Sequence, residues 1–138
     1  MTKQEIKKIL PHREPMLLLD EAEKKDDKAV GHYTVRGDEF FLQGHFPGNP
    51  IVPGVILCEI LAQSACVLLE DQMKEGQLPV YTGLDHVRFR SPVRAGDRIE
   101  TQCWIKRAKP PFYVAEGVLM AEGKKCMSAE FSFAITGV

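Results

Sequence analysis

Apolar residues recur along this chain with two periods, and the changes of period divide it into elements. Ile6 and Leu10 are spaced to share one helical face, and Pro11 follows, so a short amphipathic helix is expected at the start. Residues 16–23 read as a strand, residues 24–27 as a polar turn, and residues 28–36 as a second strand. In the latter Val30, His32, Thr34 and Arg36 alternate with Gly31, Tyr33, Val35 and Gly37. Between residues 55 and 69 the pattern is apolar almost all round, interrupted chiefly by Glu59, Gln63 and Ser64, which marks a buried helix. It is expected to run over residues 54–74, closed by Gly76, and to reach about 30 Å at about 1.5 Å per residue. The rest reads as strands over residues 80–85, 87–90, 98–107, 112–122 and 124–135, with a hairpin turn at Gly123. Ile99, Thr101, Cys103 and Ile105 fall on one face, Glu100, Gln102, Trp104 and Lys106 on the other. Strands, one buried helix, then strands predict an α+β arrangement, an antiparallel sheet curled around a central helix.

Residues 40–53 break both periods. They are dense in Gly and Pro yet too apolar for an ordinary surface loop, so a rigid, partly buried loop is expected. At 138 residues, with no repeat or linker, the chain is read as one domain over residues 1–138. A formal net charge of −1 argues against bulk nucleic-acid binding. The carboxylate in the middle of the apolar helix argues against a membrane span, and the N-terminal residues lack a signal-peptide pattern. A cytoplasmic protein is expected. Cys58, Cys66, Cys103 and Cys126 show no metal-like spacing and sit among apolar neighbours, as buried free thiols do in a reducing compartment.

Glu59 is the first candidate for chemistry, because an unpaired carboxylate inside a buried helix is costly. Gln63, one turn on, shares its face and is placed to hydrogen-bond it. A Glu satisfied by such a partner, or by a second subunit, is the structural alternative. His45 stands in the Gly/Pro-rich loop that feeds directly into the helix. Packing without reaction is its alternative role, but a neutral imidazole near a carboxylic acid also makes a base-and-acid pair at neutral pH. The amides of Gly54 and Val55 fall in the first helical turn, where no intrahelical acceptor exists, and are suited to polarising a carbonyl oxygen. Base, acid and oxyanion site suit proton removal beside a thioester carbonyl followed by loss of a β-hydroxyl. Their spacing alone does not single out that reaction.

The stretch from Gly44 to Gln63, Gly-His-Phe-Pro-Gly-Asn-Pro-Ile-Val-Pro-Gly-Val-Ile-Leu-Cys-Glu-Ile-Leu-Ala-Gln, resembles the signature of the β-hydroxyacyl-acyl-carrier-protein dehydratases of type II fatty-acid synthesis. That signature sets its histidine and acid fourteen positions apart, as His45 and Glu59 are. Pro11-His12-Arg13, the apolar run ending at Asp20, and residues 85–97 with Arg88-Phe89-Arg90, Pro92, Gly96 and Asp97 also match. The resemblance implies a hot-dog fold and a homodimer whose sites are shared, with His45 of one subunit facing Glu59 of the other. Three such dimers commonly form a hexamer. It further implies that His45 removes the C2 proton, Glu59 assists departure of the 3-hydroxyl, and the Gly54 amide holds the thioester oxygen. Glutamate rather than aspartate at position 59 favours the dehydratase without isomerase activity. Glu14 and Met16 depart from the family pattern, which usually has an aromatic and a larger apolar residue there.

The other polar groups invite quieter roles. His12, His32 and His86 match no ligand spacing and are expected to be structural or exposed; the implied mechanism needs no metal. No cofactor is implied beyond the phosphopantetheine arm that carries the substrate. Cys58 points about 100° away from Glu59 and is assigned to the core. Arg88, Arg90, Arg94, Arg98, Lys106, Arg107 and Lys109 form a basic-rich stretch, a solvated face or a guide for acyl carrier protein. Phe46, Ile56, Tyr81 and Phe89 are candidate walls of an acyl tunnel, with core packing as their alternative. A hot-dog thioesterase and a non-catalytic acyl-binding module are the rival functions.

Overall fold

The structure, a computed structural model, describes residues 1–137. Helix α1 spans Lys3–Ile9, started by a capping box in which Thr2 and Glu5 satisfy each other's backbone amides. Arg13 closes its other end by donating to the carbonyls of Lys7, Leu10 and His12. Strands β1 (Glu21–Lys25) and β2 (Lys28–Thr34) form a hairpin. After the loop come helix α2 (Gly54–Cys66) and four strands, β3 (Gln77–Phe89), β4 (Arg98–Lys109), β5 (Phe112–Ala121) and β6 (Lys124–Gly137).

All six strands pair antiparallel in the order β1-β2-β4-β5-β6-β3. The sheet wraps α2, which packs chiefly on β4 and β5. Ile60, Leu61 and Ala65 of the helix are wholly buried against Ile99, Cys103, Leu119 and Phe131 of the sheet. Ile99, Thr101 and Cys103 point into this core, as their alternation predicts. Two glycines permit the close approach. A Cβ on Gly117 would sit 2.9 Å from Leu61 Cδ1, and one on Gly31 would sit 2.6 Å from Ser64 Oγ. Ser64 in turn accepts from Thr101 at 2.6 Å and donates to Ile60 O at 3.0 Å, so the buried hydroxyls are satisfied. A second, smaller core joins Ile6, Leu10, Leu17 and Leu19 to Cys66 and Val67 at the end of α2.

Three expectations are corrected. The long helix stops at Cys66, with a single 3₁₀ turn over Val67–Leu69, rather than running to Lys74. Full burial ends at Leu69, and of residues 70–75 only Met73 packs, partly, against the core, which leaves little to reward another helical turn. The first strand is Glu21–Lys25 and not residues 16–23, because Leu17, Leu18 and Leu19 are wedged between the two cores and outside any ladder. The two short strands expected at residues 80–90 are one strand, β3, kinked by register shifts at Tyr81/Gly83 and Asp85/Arg88, the second holding His86 at φ 51°.

Candidate active site

Pro53 caps α2 without a side-chain hydrogen bond, and its carbonyl accepts from Ile56 at 2.9 Å and Leu57 at 3.2 Å. Among the described residues no acceptor meets the amides of Gly54 and Val55. Both therefore remain available at the positive end of the helix dipole. The Phe89 ring lies directly over Gly54, where an added Cβ would approach its Cζ to 2.8 Å. Glycine at this position leaves the backbone amide reachable beneath the ring.

His45 reaches the same place from the loop. Ile51 N donates to the His45 carbonyl at 2.8 Å, and His45 Nδ1 lies 3.0 Å from the Ile51 carbonyl. A carbonyl only accepts, so Nδ1 carries the hydrogen and Nε2 presents its lone pair. The Phe46 ring stacks on the imidazole at 4.2 Å between centroids. His45, Gly54, Leu57, Phe89 and Arg90 line an open groove of about 500 Å³. An imidazole with a fixed tautomer and the start of α2 at Gly54 thus line one hollow.

Glu59 lies one and a half turns into α2 and opens elsewhere, into a niche of about 40 Å³ lined with His12, Gln63, Cys66, Tyr81 and Phe133. That is room for about two or three water-sized groups. The groove and the niche share no lining residue. Gln63 Nε2 donates to Glu59 Oε2 at 2.9 Å and to the Met16 carbonyl at 2.7 Å. Its own oxygen accepts from Leu18 N at 2.9 Å, which fixes the amide's orientation. Tyr81 donates to the Cys58 carbonyl at 3.0 Å. Burial, and secondarily the Glu59 charge, raise the Tyr81 hydroxyl above the ordinary phenol range.

His12 lies beside Glu59. Its Nε2 lies 3.2 Å from Glu59 Oε2, and its Nδ1 is buried without a partner. The signal was in the Pro-His-Arg tripeptide, set between two apolar runs that both enter the smaller core and carry it against α2. His32 does pair structurally, with Glu100 at 3.2 Å, and His86 is exposed. Glu14, the departure from pattern, bridges Lys7 at 3.1 Å and Lys3 at 3.4 Å. Its own backbone hydrogen bond and then Lys7 hold its carboxyl at about 2.

The remaining candidates separate. Ile56 is half-buried against the main core, while Phe46, Val55 and Phe89 are exposed. Cys58 is buried, and burial raises its thiol; Cys66 is pushed up to about 12 for the same reason, so neither is a ready nucleophile. All four cysteines are unpaired. Among the described residues no three His, Cys, Asp or Glu side chains gather to hold a metal ion, and no helix is long and apolar enough to cross a membrane.

Residues 10–130 match the family described as the FabA-like domain. The chain is 40% identical over 138 residues to a 3-hydroxyacyl-[acyl-carrier-protein] dehydratase, FabZ, of Halalkalibacterium halodurans, covering 98% of this chain and 99% of the relative. It is 45% identical over 121 residues to the FabZ dehydratase of Pseudothermotoga lettingae, covering 87% and 86%. Its fold resembles a chain of the dehydratase heterocomplex ApeI:P from Xenorhabdus doucetiae, with a TM-score of 0.83 at 21% identity, covering 96% of this chain and 91% of that one. It also resembles a thioesterase from Haemophilus influenzae, with a TM-score of 0.65 at 14% identity over 86% of this chain and 78% of that one.

Proposed function

The chain belongs to the 3-hydroxyacyl-[acyl-carrier-protein] dehydratases of fatty-acid synthesis, hydro-lyases of the FabA-like hot-dog family, and on that premise we propose that His45 and Glu59 carry the reaction. The observation that supports this most is the His45 hydrogen bond to Ile51, which leaves Nε2 as a free base beside two unspent helix amides. The thioester carbonyl accepts from the Gly54 and Val55 amides, so charge that develops on its oxygen as the C2 proton leaves is stabilised where it forms. His45 Nε2 takes the C2 proton. Glu59 gives its proton to the departing 3-hydroxyl, directly or through water, and the trans-2-enoyl thioester and water result.

The substrate in this reading is a (3R)-3-hydroxyacyl group on acyl carrier protein, presented on the phosphopantetheine arm. Arg88 and Arg90 flank Phe89 on exposed positions, with Arg90 at the rim of the His45 groove, a disposition that suits an acidic carrier. Lys106 is less suited, since it is engaged by Glu130 at 3.2 Å. Phe46, Ile56, Tyr81 and Phe89 form the walls available to the acyl chain.

Because groove and niche are separate in one chain, the working site is assigned to two, His45 of one subunit opposite Glu59 of its partner. The edge strand β3 exposes Val80, Leu84 and Phe89, and the helix start exposes Val55, which is 74% accessible. An unpaired strand edge with such residues calls for cover, and a second copy supplies it; trimerisation of dimers would give a hexamer. Buried unpaired cysteines fit a reducing compartment such as the cytoplasm.

The deciding experiment follows absorbance and products with a 3-hydroxyacyl thioester, using wild type, His45→Ala and Glu59→Ala. Enoyl thioester from wild type, lost by ~10²-fold or more in each variant, supports the pair. A variant that keeps wild-type turnover removes its residue from the mechanism. Release of free thiol would move the chain to thioester hydrolysis.

A further inference from the structure

Residues 46–50, the tip of the loop that carries His45, are all exposed. Within the tip, Phe46 N donates to the Asn49 carbonyl at 3.1 Å and Asn49 N to the Phe46 carbonyl at 2.9 Å. Among the described residues one hydrogen bond reaches the tip from outside the loop: Arg94 Nη1 donates to Asn49 Oδ1. The Arg94 backbone meets the same loop at Ile51, in an antiparallel bridge beside the bond from Val52 N to the Val93 carbonyl at 2.8 Å. Arg94 itself stands on a closed turn. Its amide donates to Asp97 Oδ2 at 2.9 Å, its carbonyl accepts from Asp97 N at 3.1 Å, and Gly96 supplies the φ of 90° that the turn needs. Gly96 N and the Asp97 carbonyl pair in turn with Val35, at 2.7 and 3.0 Å, which fixes the turn to the chain just past β2.

We propose that Arg94 is a positioning residue for the base: it clamps the loop at Asn49 and at Ile51, and so holds the His45 imidazole in place. This rests on the assignment of His45 as the base and adds what keeps it there. Two routes lead from Arg94 to the ring. Through Ile51, the backbone bridge steadies the carbonyl that lies 3.0 Å from His45 Nδ1, which keeps the hydrogen on Nδ1 and the lone pair on Nε2. Through Asn49, the side-chain bond steadies Phe46, whose ring stacks on the imidazole at 4.2 Å between centroids. A bond from a planar, charged guanidinium is directional and stronger than one between neutral groups. Without it the tip is held only by its own two backbone bonds, and the ring that stacks on His45 moves with the tip. Arg94 belongs to the same basic stretch as Arg88 and Arg90, but its guanidinium is turned to the loop, and its part in the reaction is to hold His45 and not to draw in the carrier.

The experiment compares Arg94→Ala, Asn49→Ala, the double variant and Arg94→Lys with wild type and His45→Ala by steady-state kinetics. Each is measured on a 3-hydroxyacyl group carried by acyl carrier protein and on the same group as its N-acetylcysteamine thioester. Expected in Arg94→Ala is a fall in kcat of about 5–30-fold on both substrates, with KM changed less than about 3-fold. Arg94→Lys keeps a cationic donor and should recover to within about 3-fold of wild type. Asn49→Ala should reproduce the fall, and the double variant should be no more than about 2-fold slower than either single one, because both remove the same bond. Nitrogen NMR of 15N-histidine-labelled protein supplies a readout that a role in stability alone would not move. The His45 signals, identified by their absence from His45→Ala, should show Nδ1 protonated in wild type and a share of the Nε2–H form in Arg94→Ala. Should Arg94→Ala fail to fold, Asn49→Ala decides by the same kcat and imidazole readouts. A rise in KM confined to the carrier-linked substrate, with kcat unchanged, would assign Arg94 to the carrier and overturn the proposal. Wild-type kcat in Arg94→Ala beside an inactive His45→Ala, or additive losses in the double variant, would overturn it too and leave the base assignment standing. Full activity in His45→Ala would remove the base assignment and this proposal with it.

Discussion

Replacing Gln63 with leucine tests how the acid is held. The side chain is 1% exposed and makes three hydrogen bonds, to Leu18 N, the Met16 carbonyl and Glu59. Leucine is of similar volume, so no cavity opens, and the effect is that of the severed bonds. The Leu18 amide lies inside the core and cannot be rehydrated, which costs about 1–3 kcal/mol. Met16 is partly exposed, so its carbonyl recovers water and loses only a net bond of about 0.5–1.5 kcal/mol. Glu59 opens on a niche that admits water, and its contribution to stability is the smallest of the three. The total is about 2–4 kcal/mol. Urea unfolding followed by the single Trp104, at one fixed protein concentration, measures it. Gln43→Leu, on an exposed position, serves as the control and should stay within about 0.5 kcal/mol of wild type. A Gln63→Leu chain destabilised by less than about 1 kcal/mol would show that the amide does not organise residues 16–18, and the argument for its grip on Glu59 would fail with it.

Mixing inactive His45→Ala and Glu59→Ala chains should restore activity once subunits exchange, because one of the two shared sites in a mixed dimer receives both native residues; proven exchange without recovery would refute the split site. Leu84→Lys, on the exposed β3 edge, should shift the assembly toward a smaller species in sedimentation while leaving the circular dichroism of the chain intact. Gly117→Ala drives its Cβ to 2.9 Å from Gln102 O, Cys103 Sγ and Leu61 Cδ1, and should lower stability by about 1–3 kcal/mol in the same urea assay. Glu39 is 5% exposed; burial pushes its carboxyl up, but the amides of Arg36 and Gly37 and the Tyr33 hydroxyl outweigh it and hold the group below its usual 4.5. A carboxyl depressed in the folded state contributes stability that is full above the unfolded value and is lost as pH falls from there through the folded one. Glu39→Gln should therefore unfold more easily than wild type at pH 7 and lose that difference below about pH 4.5.

Much of this site was legible because its parts are local. The run from His45 to Glu59 holds a Pro-capped helix start, a histidine on the loop before it and a carboxylate just beyond its first turn, all within one continuous stretch. Alternation likewise identified the inward face of β4, since burial on one side of a sheet writes a period of two into the sequence. What the sequence left hidden depends on distant packing. His12 meets Glu59 only because Leu17 and Leu19 share a core with Cys66 and Val67, a contact across more than forty residues that no local pattern encodes. The three leucines at 17–19 imitate a strand, but the amide of Leu18 is taken by a side chain, not by a neighbouring strand. The helix end was misplaced because residues 70–75 carry no Pro or Gly to stop a helix, whereas full burial ends at Leu69 and only Met73 beyond it packs against the core.

The order of strands also governs how the chain comes together. β3 lies beside β6, the last strand in sequence, and is separated from β2 by the whole of β4, β5 and β6. The β1–β2 hairpin, by contrast, pairs over a few residues and can form early. As the polypeptide emerges in sequence order, α2 and β3 appear without the strands that are to enclose them, and their apolar residues wait for the β4–β6 meander. Closure of the sheet by Tyr81 against Phe133 and Leu84 against Phe131 is thus a late, long-range event. A nascent chain cut short within β6 would present an unpaired β3 edge to chaperones and to its own kind, which makes the final strand the latch of the fold.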